Sequence, residues 1–472
     1  MKSILLSFLF ISISALNLHS QKQVLSFKNE VLSKRISKDS YTLSNTKNND
    51  LAVVIIERKQ IFAYLFNSNF EKKNTVETKN IKAKYNKALG YSISDERYNI
   101  LYTNQNKNKF SILSLDFKSQ TGTSKEIDID FKDHLFLDAI NYNNKLYLLS
   151  ANGNSEITIR LFDNETNFKI IKTFSLEEIS NDTNLISSKM SFGPFLFSGK
   201  EVSNITKIDR RVPNSIEQTS NENKIYQNGS SLYLTFDVNK KSTQIYTIDL
   251  ESLNLSLNVV PYPEQGIESF KKFNSFLYKN KLYQIASSKE EMKFAIKTLE
   301  GKLIKDFYIN KNKPITIKNS PIIQEGATAL PFVTKRKLEA TKKYLRKITS
   351  GQLGLTVLEQ DQSYYISLGG FEYIHNGGPM MVTTANGNFT GFNTTYASYS
   401  GYTTTKSTYF NSIFDLNFNH KKGDFKDSIF DKIEAYKTPL RYITAEDVFF
   451  HDNTLYFGYF NQKNSEYNLI KF

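Results

Sequence analysis

The stretch Asn143-Asn144-Lys145-Leu146-Tyr147-Leu148-Leu149, followed by a turn at Asn152-Gly153-Asn154 and then by Ile157-Thr158-Ile159-Arg160-Leu161, decides the fold. Asn pairs suit the left-handed positions of a tight hairpin turn, and the alternation from Ile157 to Leu161 is that of a half-buried strand. With Phe136 to Tyr142 in front and Ile170 to Phe174 behind, the region reads as four antiparallel strands joined by short turns.

The same pattern recurs along the chain. Ser231-Leu232-Tyr233-Leu234 precedes strands at Gln244 to Leu250 and Leu255 to Val260, and Lys281-Leu282-Tyr283 precedes Phe294 to Leu299 and Leu303 to Tyr308. Earlier copies run Tyr98 to Tyr102, Phe110 to Phe117 and Ile127 to Phe131, and before them Leu51 to Ile56, Ile61 to Phe66 and Thr75 to Thr78. The last copy is Val448 to Phe450, Leu455 to Phe460 and Tyr467 to Phe472. Clear neighbours repeat every ~45 to 50 residues, the length of one four-stranded propeller blade. The expectation is an all-β chain forming a β-propeller of about seven four-stranded blades, with six or eight allowed. The final copy lacks a fourth strand, and Val24 to Phe27 offers one, so the ends of the chain are expected to share a blade and close the ring. A transmembrane barrel fits less well, because its strands run about 9 to 11 residues with a continuous apolar face, and these are shorter and carry Lys on both faces.

On this repeated Leu-Tyr hairpin pattern the chain resembles exported bacterial propeller-like proteins of unassigned activity. The resemblance is one of architecture and transfers no functional residue. Export is expected independently. Met1 and Lys2 precede an apolar run from Ile4 to Leu16, too short for a membrane anchor, and polar residues follow to Gln21. Residues 1–20 therefore read as a signal peptide and 21–472 as one propeller domain, placed in the periplasm or outside the cell. No later stretch has the apolar length of a transmembrane helix. The chain has no Cys, which excludes both disulfide staples and a lipid-modified amino-terminal Cys. Its formal charge of +14 suits anionic glycan or lipid surfaces; no nucleic-acid motif accompanies it.

Three insertions interrupt the repeat, at about 176–223, 311–351 and 369–406. The first contains Phe192-Gly193-Pro194-Phe195 and Lys207-Ile208-Asp209-Arg210-Arg211, and reads as a degenerate extra blade. The second holds one short basic helix. Thr334 is placed as its cap, Gly351 past its end, and Leu338, Thr341, Leu345 and Ile348 form its apolar stripe. Its other face then presents Lys335, Arg336, Lys337, Lys342, Lys343, Arg346 and Lys347 against the single acid Glu339. Such a face either grips an anionic glycan or lipid headgroup or is simply solvated. The third insertion is rich in Gly, Thr and Asn; it is either a disordered or merely decorative loop, or a ligand surface whose candidate contacts are Tyr396, Tyr399 and Tyr402. Strand alternation puts all three insertions on one face, which is the candidate functional surface.

The chemistry is otherwise sparse. The five His, at 19, 134, 375, 420 and 451, lack metal-ligand spacing, and no Gly-x-Ser-x-Gly occurs. Asp128, Asp130 and Asp133 are read as the solvent face of an edge strand rather than a cation site. No catalytic residue, metal ligand or cofactor is assigned. The leading function is a non-catalytic binding or scaffold protein of the bacterial cell envelope, with an envelope protein or an anionic surface as partner. The alternative is a propeller glycan hydrolase with carboxylates near the central channel. Mass spectrometry of the native protein should find its amino-terminus at or near Gln21; an intact Met1 end overturns the signal-peptide reading.

Overall fold

Four hairpins turn on residue pairs that both adopt left-handed backbone: Asn143 and Asn144 (φ 48° and 60°), Lys279 and Asn280 (45° and 57°), Asp361 and Gln362 (50° and 54°), and Asp452 and Asn453 (47° and 56°). The flanking residues pair directly, Tyr142 with Lys145 and Tyr278 with Lys281, so each loop is two residues long. Such turns match the right-handed twist of the strands they join. They set the register of the repeat in this computed structural model, which describes residues 21–29, 38–153, 156–175, 197–198, 201–202, 205–237, 240–264, 269–326, 335–373 and 405–472.

Among the described residues seven sheets of four or five strands follow one another as blades, making the chain a β-propeller. Blade 1 is Asp39–Ser44, Leu51–Ile56, Gln60–Phe66 and Lys72–Lys79; blade 2 is Lys87–Ser94, Arg97–Thr103, Phe110–Asp116 and Thr121–Ile127. Blade 3 is Leu135–Tyr142, Lys145–Ala151, Glu156–Phe162 and Phe168–Ser175. Blade 4 comprises Asn223–Asn228, Ser231–Phe236, Ser242–Asp249 and Leu255–Pro261, with Ile205–Lys207 added beside its first strand. Blade 5 is Lys272–Tyr278, Lys281–Ser287, Glu291–Thr298 and Leu303–Asn310. Blade 6 runs Gln352–Gln360, Ser363–Tyr373 and Thr405–Phe414, then Ile322–Gly326 and Lys335–Leu338 at its outer side. Blade 7 is Ile443–His451, Thr454–Asn461, Glu466–Lys471 and, from the other end of the chain, Lys22–Lys28.

The first strand of each blade lines the axis, and neighbouring first strands are bonded to one another. Thr42 N donates to Asp447 Oδ2 at 2.7 Å between blades 1 and 7, and Tyr91 OH to Ser44 O at 3.3 Å between blades 2 and 1. Gln227 Nε2 reaches Asn141 O at 2.6 Å between blades 4 and 3, and Asn274 Nδ2 reaches Leu353 O at 2.6 Å between blades 5 and 6. Apolar clusters fill the wedges between blades; one joins Val54 and Leu65 of blade 1 to Ile100 and Leu113 of blade 2. Between blades 6 and 7 the helix Ile429–Lys437 intervenes. It buries Phe430 and Ile433 against Val448, Leu455 and Phe457, and Ser428 caps it through a capping box with Asp431.

The amino-terminal strand closes the ring as expected, with Lys22 opposite Lys471 and Phe27 opposite Tyr467. It also reaches the next blade, since the Phe27 ring lies 4.6 Å from Tyr64 and 5.1 Å from Phe66. Deleting residues 22–28 should expose the backbone edge of Glu466–Lys471 together with this aromatic contact. Denaturant unfolding should then show a loss of about 3 kcal/mol or more; an unchanged curve would mean the ring does not depend on this strand.

Candidate binding face and the plugged tunnel

The first insertion does not form an extra blade in its described part. Ile205–Lys207 pairs in parallel with Asn223–Asn228, on the axis side of blade 4, and the chain then runs through the central tunnel. A blade needs strands long enough to cover a neighbour's face, whereas this three-residue strand is followed by a charged turn. Lys207 Nζ lies 2.8 Å from Asp138 Oδ2 on blade 3 and donates to Ala139 O at 3.1 Å. Asp209 accepts from Arg211 Nε at 3.0 Å on both oxygens, and the Arg210 guanidinium sits 6.0 Å from the Phe450 ring centre on blade 7. Ser215 then caps a one-turn helix, Ile216–Thr219, by accepting from Gln218 N at 3.1 Å. Ile208, Val212 and Ile216 are buried along the segment. Asn274 Nδ2 binds the carbonyls that end this helix, Thr219 O at 3.2 Å and Ser220 O at 2.9 Å. On blade 6 a Cβ at Gly354 would lie 2.4 Å from Ile216 O, so glycine is what admits the helix there. Residues 205–220 thus form a plug that touches blades 3 to 7.

Carboxylates do stand near the axis, and Asp138, Asp209, Asp237 and Asp447 are each engaged. Asp237 accepts from Ser275 Oγ at 2.8 Å, Thr243 Oγ1 at 2.7 Å and the Tyr262 hydroxyl, and pairs with the buried Lys224 at 3.2 Å. Burial lowers the Lys224 pKa, and Asp237 only partly offsets it. At Asp209 burial works to raise the pKa, but the Arg211 charge prevails and holds it below the usual range. Asp447 differs: burial pushes it up to about 6 against the opposing pull of Thr42 and Arg211. Asp128, Asp130 and Asp133 fall in the connection after Thr121–Ile127 rather than on an edge strand. Among the described residues no three potential ligands converge on a cation site.

The insertion-bearing face is assembled around blade 6. The helix Thr341–Ser350 buries Tyr344, Leu345 and Ile348, and Tyr344 OH donates to Leu368 O at 3.0 Å. Gly370 lets the helix approach, since a Cβ there would meet Ile348 Cα at 2.9 Å. The ends of the third insertion lie beside the other two. Thr405 Oγ1 donates to Glu217 Oε2 at 3.3 Å in the first, while Glu372 accepts from Ser350 Oγ at 3.2 Å and pairs with Lys347 at 3.6 Å in the second. Tyr396, Tyr399 and Tyr402, like residues 1–20, Thr334 and Phe192 to Phe195, lie outside the described residues.

The basic helix is shorter than its sequence suggested. Lys335, Arg336 and Lys337 belong to the strand Lys335–Leu338, which pairs with Ile322–Gly326, and the helix begins only at Thr341 behind an extended Ala340. Continuing the helix back through Lys335 would leave one backbone edge of Ile322–Gly326 unpaired. Lys335 pairs with Glu325 at 3.1 Å, and Arg336 Nε donates to Gln324 Oε1 at 2.6 Å. Lys337, Lys342, Lys343 and Arg346 are exposed.

No family model matches the chain. No curated protein matches it either. Among solved structures it is similar to a member of the DUF4221 family from Bacteroides vulgatus, at 10% identity over 95% of this chain and 98% of the other, with a TM-score of 0.31. A prolyl endopeptidase aligns at 9% identity over 90% of this chain and 46% of its own, with a TM-score of 0.32. A Synechocystis apocarotenoid oxygenase aligns at 8% identity over 58% and 61%, with a TM-score of 0.27. The chain thus spans less than two thirds of the oxygenase and about half of the peptidase. The blade topology establishes the propeller by itself, and these likenesses bring no residue or activity to it.

Because folding raises the Asp447 pKa to about 6, the folded state holds a proton there that the unfolded chain, with an ordinary carboxyl near ~3.9, has released. This stabilising contribution is complete below about pH 4 and is lost as pH rises through the folded value. The unfolding free energy of wild type minus that of Asp447→Asn should therefore fall by up to ~3 kcal/mol between about pH 4 and 7. A difference that stays level across that range would show that Asp447 titrates normally.

Proposed function

We propose that this chain is an exported, non-catalytic binding protein of the cell envelope that holds its partner on the insertion-bearing face. The observation that carries the reading is the meeting of all three insertions at blade 6, through Thr405 with Glu217 and Glu372 with Ser350. The tunnel, where a propeller has room for a ligand, is occupied by residues 205–220, and Asp138, Asp209 and Asp237 beside it are paired with Lys207, Arg211 and Lys224. That arrangement supports a surface contact over the glycan-hydrolase alternative. The apolar run after Lys2 supports export.

Retention of the purified protein on envelope fractions from the producing cells tests the proposal. Tyr396→Ser/Tyr399→Ser/Tyr402→Ser, or replacement of residues 376–402 by a short Gly-Ser linker, should weaken retention at least ~10-fold, equivalent to ~1.4 kcal/mol. Lys145→Glu, on the opposite face, should leave it unchanged. Equal losses from both faces, or no retention of wild type, overturns the reading.

A further inference from the structure

The structure sorts the cations around the helix Thr341–Ser350 into two groups. Lys335, Lys347 and Lys311 are neutralised by Glu325, Glu372 and Glu290. Lys342, Lys343 and Arg346 are exposed and have no ion pair among the described residues. Lys342 and Arg346 are four residues apart and Lys343 and Arg346 three, so the three share one helical face. Packing adds two cations from distant parts of the sequence. Thr341 Oγ1 donates to Lys313 O at 2.7 Å, which brings the exposed Lys313 to the start of the helix. Thr349 Oγ1 donates to Ser288 O at 2.9 Å, which brings the exposed Lys289 to its end. Glu339, two residues before the helix, is exposed and has no ion pair among the described residues.

This arrangement works against the helix itself. Two Lys occupy a first turn that contains no acid, where the helix dipole disfavours positive charge, and Ala340 supplies no side-chain cap. The cations do not repair these defects from within the protein, whereas an anion laid along the ridge would.

We infer that the ridge formed by Lys289, Lys313, Lys342, Lys343 and Arg346 binds an acidic polysaccharide bearing carboxylate or sulfate groups; this names the ligand class for the binding-propeller reading above and rests on it. A chain of spaced anions fits a row of separate cations running from one end of the helix to the other. A lipid surface fits less well. Every apolar side chain of the helix, Tyr344, Leu345 and Ile348, is turned into the core, and none remains to insert between headgroups. The five residues also include no aromatic ring on which a nucleic-acid base could stack.

The test uses the full mature chain with polygalacturonate as probe, neutral dextran as blank and phosphatidylglycerol vesicles as the competing surface. Wild type should bind polygalacturonate, ignore dextran, and weaken as salt shortens the electrostatic range. The variant Lys313→Gln/Lys342→Gln/Lys343→Gln/Arg346→Gln should lose at least ~10-fold in affinity, while exchanging the same Lys for Arg should retain binding. Removing four charges elsewhere, with Lys59→Gln/Lys118→Gln/Lys145→Gln/Lys463→Gln, should cost less than ~3-fold. Equal losses from the two quadruple variants would mean that bulk charge does the binding and would overturn the assignment. Tighter binding to vesicles than to polygalacturonate would overturn the choice of ligand. If wild type ignores polygalacturonate while the Tyr variants still abolish envelope retention, this inference fails and the binding-propeller reading survives.

Discussion

The antiparallel pairing of Lys22–Lys28 with Glu466–Lys471 is the constraint on which the architecture rests. Without it blade 7 would present an open edge, and the wedge between blades 7 and 1 would lose Leu25 and Phe27. Closure through one strand from each chain end makes the ring a single cooperative object, because no blade can leave without opening the pairing that joins the termini. It also fixes the number of blades and hence the width of the tunnel. In this chain residues 205–220 occupy that space.

Filling a tunnel lined by backbone and polar side chains imposes its own chemistry. Buried polar groups require partners, and the plug finds them in two ways: through ion pairs, Lys207 with Asp138 and Arg211 with Asp209, and through the neutral amide of Asn274 on blade 5, which binds its two helix-ending carbonyls as well as blade 6. The buried Lys224 and Asp237 pair extends the set between blades 4 and 5. Removing one partner of such a pair leaves an uncompensated charge largely out of water, and the Lys207–Asp138 pair in this way ties the plug to blade 3 even where its net stabilisation is small. Asp447 is the exception within this set. Its carboxyl accepts the Thr42 amide but remains costly to ionise, which places a titratable group at the junction that closes the ring.

The hairpins were legible because their signals are local. Asn143 and Asn144, or Asp452 and Asn453, announce left-handed turns, and alternation between them gives the strands. The missing fourth strand at Phe472 and the spare one at Val24 made the closure legible as well. Blade 6 was not among the copies of the repeat, most of its region being read as insertions. Its two outer strands, Ile322–Gly326 and Lys335–Leu338, precede its inner strands in the chain, and nothing in the run from Lys335 to Leu338 distinguishes an edge strand from the first turn of a helix until its partner is known. The plug was illegible for a similar reason: Ile205-Thr206-Lys207 is too short to carry a period, and its pairing with Asn223–Asn228 is parallel. Lys289 and Lys313 joined the basic ridge through hydrogen bonds made by Thr349 and Thr341, contacts that spacing cannot reveal.

Glycine placement explains why the insertions gather at blade 6 rather than elsewhere on the ring. Gly354 on its first strand admits the plug helix against Ile216, and Gly370 on its second admits the basic helix against Ile348. Neither glycine has a left-handed backbone, so each serves close approach and not a turn. The sequence places Gly369 and Gly370 at the start of the third insertion, yet both lie within the strand Ser363–Tyr373, where a missing side chain lets two elements touch. One blade therefore receives the plug helix on its first strand and the basic helix on its second, and carries the third insertion between its second and third.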